Sequence, residues 1–112
     1  MNERLEKLCT EAKSLTGIDI RYAKGRKEEY VRIRFAISNI GIKYMGFNTV
    51  QMADFFNYDH STIVHHKKSH KGKYQSDDEY AHLFDQLIKR IGADNESKLD
   101  TDEIISLIKE LQ

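Results

Sequence analysis

From residue 78 to residue 91 the apolar side chains Tyr80, Leu83, Phe84, Leu87, Ile88 and Ile91 recur at intervals of three and four. That spacing puts them on one side of an α-helix, whereas a strand would turn half of them into water. The same period returns at the start of the chain, where Leu5, Leu8, Ala12 and Leu15 form one helical stripe. Not one of the 112 residues is proline, so no position is barred from a helix interior. With 32% charged residues, this composition points to helices rather than to a turn-rich β protein.

Local signals divide the chain into segments. The first stripe closes at Gly17, a natural residue just past a helix end. A basic connector follows, with Gly25 at its bend. Glu28 and Glu29 suit the positive end of a second, long helix that runs to Gly46. Its Val31, Phe35, Ile37, Ile40, Tyr44 and Met45 make a broad apolar face, although the Ile33-Arg34-Phe35 alternation and Gly41 are also compatible with a strand. Asn48 with Gln51 has the form of a reciprocal cap on a short helix. Val50, Ala53 and Phe56, with Met52 and Phe55, are expected to face its core side.

Asn57-Tyr58 then makes a tight corner, and Asp59 or His60 opens the next helix. Ile63 and Val64 are its strong apolar anchors, and Gly72 is expected to loosen its end. Ser76 with Glu79 is the expected cap of the helix over 77–91. A polar linker and a last helix carrying Ile104, Ile105, Leu107, Ile108 and Leu111 complete the chain. The expectation is one all-α domain, 1–112, with five or six helices. Its core spans 20–91, flanked by an N-terminal helix (1–19) and an acidic, helical C-terminal extension (92–112).

The lone Cys9 forms no internal disulfide and fits a reducing compartment. No apolar run approaches the ~20 residues of a membrane span, and the start lacks a signal peptide's hydrophobic segment, so a cytoplasmic location without membrane contact is expected. The formal net charge of zero conceals segregation. Residues 20–74 hold eleven Lys/Arg against four Asp/Glu, a balance of +7, while residues 75–112 hold four against ten, a balance of −6. A basic middle of this kind suits a polyanion.

Four of the five histidines fall in "FNYDHSTIVHHKKSHKGKY", residues 56–74. His66 and His70, four apart, share a helix face and have zinc-compatible spacing, but no cysteine lies nearby to complete four ligands, so no metal is expected. Asp59, His60 and Ser61 are adjacent, which splays rather than converges a triad, and no G-x-S-x-G elbow surrounds Ser61. A phosphate-cradling nucleotide loop is also missing. An enzyme is therefore not expected, nor a cofactor or bound nucleotide. Two helices joined by a tight turn, the second polar and basic, have the form of a helix-turn-helix. Asp59, His60, Ser61 and Thr62 then point at base edges, and His65, Lys67, Lys68 and Lys71 lie along phosphates.

The stretch "VRIRFAISNIGIKYMGFNTVQMADFFNYDHSTIVHHKK" resembles the C-terminal, duplex-binding domain (domain IV) of the bacterial replication initiator DnaA. The family signature R-D-H-[ST]-T-V-x-H-A reads here Y-D-H-S-T-I-V-H-H, with Asp59, His60, Ser61, Thr62 and His65 in register. The similarity covers roughly residues 20–91. It implies a helix-turn-helix fold of the Trp-repressor-like type, with Asp59, His60 and Ser61 reading bases in the major groove. Thr62, His65 and Arg34 would hold phosphate, and Arg26 would enter the adjacent minor groove. Ile33 and Val50 replace the family's two prolines, Tyr58 replaces the arginine before Asp-His, and His66 replaces a small residue. The family's ATPase module has no counterpart. The expected function is sequence-specific double-stranded DNA binding at a replication origin or promoter, plausible in a phage or mobile element, alongside replication or transcription proteins. The alternative is a protein-protein interaction module that keeps the fold and uses its helices or acidic tail.

Overall fold

A computed structural model of the chain describes residues 3–94. They form five α-helices: α1 (Glu3–Thr16), α2 (Glu28–Tyr44), α3 (Thr49–Phe56), α4 (His60–Ser76) and α5 (Asp78–Asp94). The fold is all-α. The helix expected beyond residue 100 lies outside the described residues. Among the described residues no helix is long and apolar enough to cross a membrane.

The helix ends follow from local chemistry. Gly17 takes φ +78° and returns its N–H to the Lys13 carbonyl at 2.8 Å, which closes α1. Asn48 and Gln51 complete the reciprocal cap of α3, with bonds of 2.8 and 2.9 Å. At the other end of α3, Asn57 is left-handed (φ 57°, ψ 47°). Its N–H goes to the Asp54 carbonyl and that of Tyr58 to the Ala53 carbonyl, the double closure of a Schellman motif. Asn tolerates this backbone region better than most residues, which explains its place at the corner.

The cap of α5 differs from expectation. Asp77, not Ser76, accepts the Tyr80 N–H, at 3.1 Å. Ser76 remains in α4, where its hydroxyl donates to the Gly72 carbonyl. Gly72 therefore does not end α4, which continues for four more residues. A single residue, Asp77, separates α4 from α5.

Helix α2 is the hub. Residues 33–41 are all buried, because α1, α3, α4 and α5 each pack against it. Gly41 marks the closest approach and is no strand signal. A Cβ there would stand 2.7 Å from Met52 Sδ, so any larger residue at this position would force the Met52 side chain to move. Met52 and Ala53 are the buried residues of α3. Val50, expected inward, is 54% exposed; on the helix it lies about 160° round from Met52, the most deeply buried side chain of α3.

Leu5, Leu8, Cys9 and Ala12 of α1 are buried in the same core, against α2 and α5. Burial pushes the Cys9 thiol up to about 12, so it is an inert packing group. Arg4 donates to the Met45 carbonyl at 3.1 Å, and Arg90 pairs with Glu11 at 2.9 Å. Helix α1 thus shares one hydrophobic core with the helices of residues 20–91.

Candidate nucleic-acid interface

Helix α4 has two unlike sides. Only Ile63 and His66 of its seventeen residues are buried. Val64, paired with Ile63 in the sequence reading, is only half-buried. The His66 ring lies against Phe35 (centroids 4.1 Å apart), and its Nδ1 is 3.2 Å from Ser38 Oγ on α2. The buried Asn39 amide donates to the Phe35 carbonyl at 2.9 Å and to the His66 carbonyl at 3.1 Å, and meets the Tyr80 hydroxyl at 3.4 Å. His70 Nδ1 and the Tyr80 hydroxyl are 2.8 Å apart. Polar contacts thus join α4 to both α2 and α5. The shared face of His66 and His70 is the inner one, and both rings serve packing. Among the described residues, no group of three or more His, Cys, Asp or Glu side chains could hold a metal ion.

His66 is 4% exposed. Burial, then the His65 and Arg34 charges, lower its pKa to about 4. The ring is neutral at physiological pH.

The outer side of α4 carries the remaining sequence candidates. His60, Ser61, His65, Lys67, Lys68 and Lys71 are exposed, and Thr62 is half-buried. Ser61, His65 and Lys68 follow one another at helical intervals of four and three, so they form a single outward stripe. Asp59 is exposed at the N-cap position, and its side chain makes no capping bond. His60 is not solely an outward group: its Nε2 lies 2.6 Å from Thr49 Oγ1 and ties the start of α4 to the start of α3.

The connector before α2 forms the second part of the surface. Asp19 begins it with a turn, accepting the Tyr22 and Ala23 N–H groups at 3.1 Å each. Arg21 pairs with Asp19 at 2.8 Å and with Glu6 at 2.7 Å, and the Arg21 hydrogen bond holds the Asp19 carboxyl below the usual carboxylate range. Gly25 takes φ +101°, open only to glycine without strain, and turns the chain so that Arg26 is exposed. Tyr22 is 78% exposed beside it.

Arg34 does not stand where a phosphate contact would. It is 8% exposed. Its Nη1 donates to the Gly25 carbonyl at 2.7 Å and its Nη2 to the Ala23 carbonyl at 2.8 Å. Its guanidinium carbon lies 5.9 Å from the Tyr30 ring centre and 5.7 Å from that of Tyr58. The connector and the α3–α4 corner thus face each other across a cleft of about 680 Å³, lined by Tyr22, Lys24, Arg26, Arg34, Phe55 and Tyr58 among others. Burial pushes the Tyr58 phenol up, while the Arg34 and Arg26 charges pull it down, so Arg26 lies close to this corner.

The structure therefore gathers Arg26, Asp59, His60, Ser61, His65, Lys67, Lys68 and Lys71 at the surface, and it removes Arg34 from that set. Sequence reading missed Tyr30 and Tyr58 as partners of Arg34, and Thr49 as a partner of His60. Tyr30, just after the connector, was the one partner whose position in the chain could have suggested the contact. Comparison with protein-family profiles, with curated proteins and with solved structures gave no significant match.

Proposed function

We propose that this chain binds double-stranded DNA at specific sequences, with α3 and α4 acting as a helix-turn-helix of the DnaA domain IV type. Helix α4 lies in the major groove with Asp59, His60 and Ser61 toward base edges, while Lys67, Lys68, Lys71, Thr62 and His65 approach phosphates. Arg26 reaches the neighbouring minor groove, where a narrow A·T-rich segment attracts an arginine by its potential. Such binding would mark a replication origin or promoter for other proteins.

The observation that carries this reading is the outer side of α4. A helix whose only buried side chains are Ile63 and His66 leaves most of its perimeter to solvent, and that perimeter is basic and hydroxylic. Polar residues on it contribute little to the fold, so a ligand is the economical account of their pattern.

Selection of random duplex DNA with the full chain, followed by anisotropy titrations on the recovered sequence, tests the proposal. Enrichment of a defined sequence is expected. Lys67, Lys68, Lys71 and the groove arginine Arg26 give a log K against log salt slope of about −4. Absence of any enriched sequence together with a flat salt dependence would leave the protein-interaction alternative in its place.

A further inference from the structure

A buried guanidinium ordinarily needs a carboxylate beside it. Arg34 has two backbone carbonyls and two aromatic ring faces instead. These partners lie on different elements. Ala23 and Gly25 belong to the connector that presents Arg26, and Tyr58 is the corner residue directly before Asp59 and α4. One side chain of the hub helix thus touches both parts of the surface described above.

The arrangement depends on features particular to arginine. Its planar fork offers donors on separate nitrogens that reach two acceptors while its guanidinium lies over two rings; a lysine carries all its donors on one nitrogen and has no planar group to span the same partners. Tyr58 stands where the DnaA resemblance has an arginine, so the corner supplies a ring surface in place of a second cation. Gly25, at φ +101°, allows its carbonyl to turn inward toward Arg34 while Arg26 is exposed.

We infer that Arg34 is a positioning residue that fixes the offset between Arg26 and α4, so that an A·T-rich minor-groove segment and the major-groove site are read only at one set spacing. This rests on the DNA-binding reading above. A shift of one base pair moves a contact by about 3.4 Å along the duplex and turns it by about 35°, which a clamped connector cannot follow.

The probe is the duplex that the wild-type chain selects from a random library, alongside a copy with the flanking A·T segment moved by one base pair. Wild type is expected to lose about tenfold on the shifted copy, the same loss that Arg26→Ala shows on the original. Arg34→Met is expected to bind the original about tenfold more weakly, to lose its discrimination between the two copies, and to show no further loss when Arg26→Ala is added. Its salt slope falls only by the one cation that the displaced Arg26 contributed, as in Arg26→Ala, and the double variant matches either single one. Without DNA, trypsin is expected to cut Arg34→Met after Lys24 and Arg26 several-fold faster than wild type, at a matched fraction folded. Tyr58→Leu removes one wall of the clamp and leaves the carbonyl bonds, so it serves if Arg34→Met does not fold; a smaller loss of spacing discrimination is expected.

Additive losses from Arg34→Met and Arg26→Ala, each lowering the salt slope by one, would make Arg34 a phosphate contact and overturn the inference while leaving DNA binding intact. Equal affinity of wild type for both copies would overturn it as well. A wild-type chain that selects no sequence sinks the underlying reading and this inference with it.

Discussion

Lowering the pH from 7 to 4.5 probes the seat of α4 through His66. In the folded chain this imidazole is enclosed by Phe35, Ser38 and Tyr58, with the His65 and Arg34 charges nearby, and its pKa is lowered to about 4. An unfolded chain returns it to about 6.5. Between those values the unfolded state binds a proton that the folded state refuses. His66 therefore favours folding fully above pH 6.5, and that contribution drains away as pH falls toward 4. The difference of 2.5 pH units corresponds to about 3 kcal/mol, most of it gone by pH 4.5. That is a large part of the 5–15 kcal/mol typical of a small domain.

Urea melts of wild type and His66→Gln at pH 7 and 4.5 isolate the effect. Glutamine can still bond Ser38 but does not titrate. The variant is expected to be less stable at pH 7, through lost packing on Phe35, and to lose about 2–3 kcal/mol less than wild type on acidification. Carboxylates titrate alike in both proteins and cancel. Among them, Asp19 is held low by Arg21, and Asp77 is held low by the Tyr80 N–H and the Arg32 and Lys73 charges against the opposing effect of burial. Parallel loss of stability in the two proteins would mean that the folded ring accepts its proton freely, and the packing argument for α4 would fail with it.

Gly41→Ala is expected to cost about 1–3 kcal/mol in the same melts, because the new methyl meets Met52 Sδ at 2.7 Å; adding Met52→Ala should recover part of the overlap cost. Asn57→Gly should be neutral to slightly stabilising and Asn57→Ala should cost about 1 kcal/mol, since only the alanine strains the left-handed corner; equal melts for the two would contradict that account. On DNA, Ser61→Ala is expected to cost about 1–3 kcal/mol on the selected duplex and little on random duplex, while Lys68→Ala weakens both and lowers the salt slope by about one. The opposite pattern would place Ser61 on phosphate and Lys68 on a base.

The elements that were legible in the sequence are those defined by neighbours in the chain. The α1 stripe, the Asn48–Gln51 cap and the Asn57 corner are each set within a few residues, and short-range rules find them. Side-chain destination is a different matter. Arg32 and Arg34 are two apart on α2, and charged residues are assumed exposed. Arg32, with its side chain only 12% exposed, meets Glu28, Glu79 and Asp77 at the edge of the core. Arg34 goes inward because the connector folds its carbonyls back over α2, a contact nine and eleven residues away that no local pattern encodes. Ser76 and Asp77 are both competent caps; Asp77 takes the Tyr80 N–H, while Ser76 stays helical with its hydroxyl on the Gly72 carbonyl four residues back. Val50 followed from treating α3 as apolar throughout, when eight residues present only a narrow inward strip. His66 read as a candidate ligand because its ring partners, Phe35 and Ser38, come from another helix.

The two-sidedness of α4 has an evolutionary consequence. Its attachment to the rest of the molecule uses the side chains of Ile63 and His66, the His60, His70 and Tyr74 side chains, and a backbone carbonyl held by Asn39. Positions 61 and 68 take no part in that attachment, whereas the His65 ring meets Phe35 of α2 edge to face, with centroids 5.9 Å apart. In the DNA-binding reading proposed above, positions 61 and 68 can be exchanged without a toll on the core, so new specificities are reachable by single steps through folded intermediates. A family of descendants with one scaffold and divergent targets is within easy mutational reach of this chain, and the same separation makes α4 a natural place to install a chosen specificity by design.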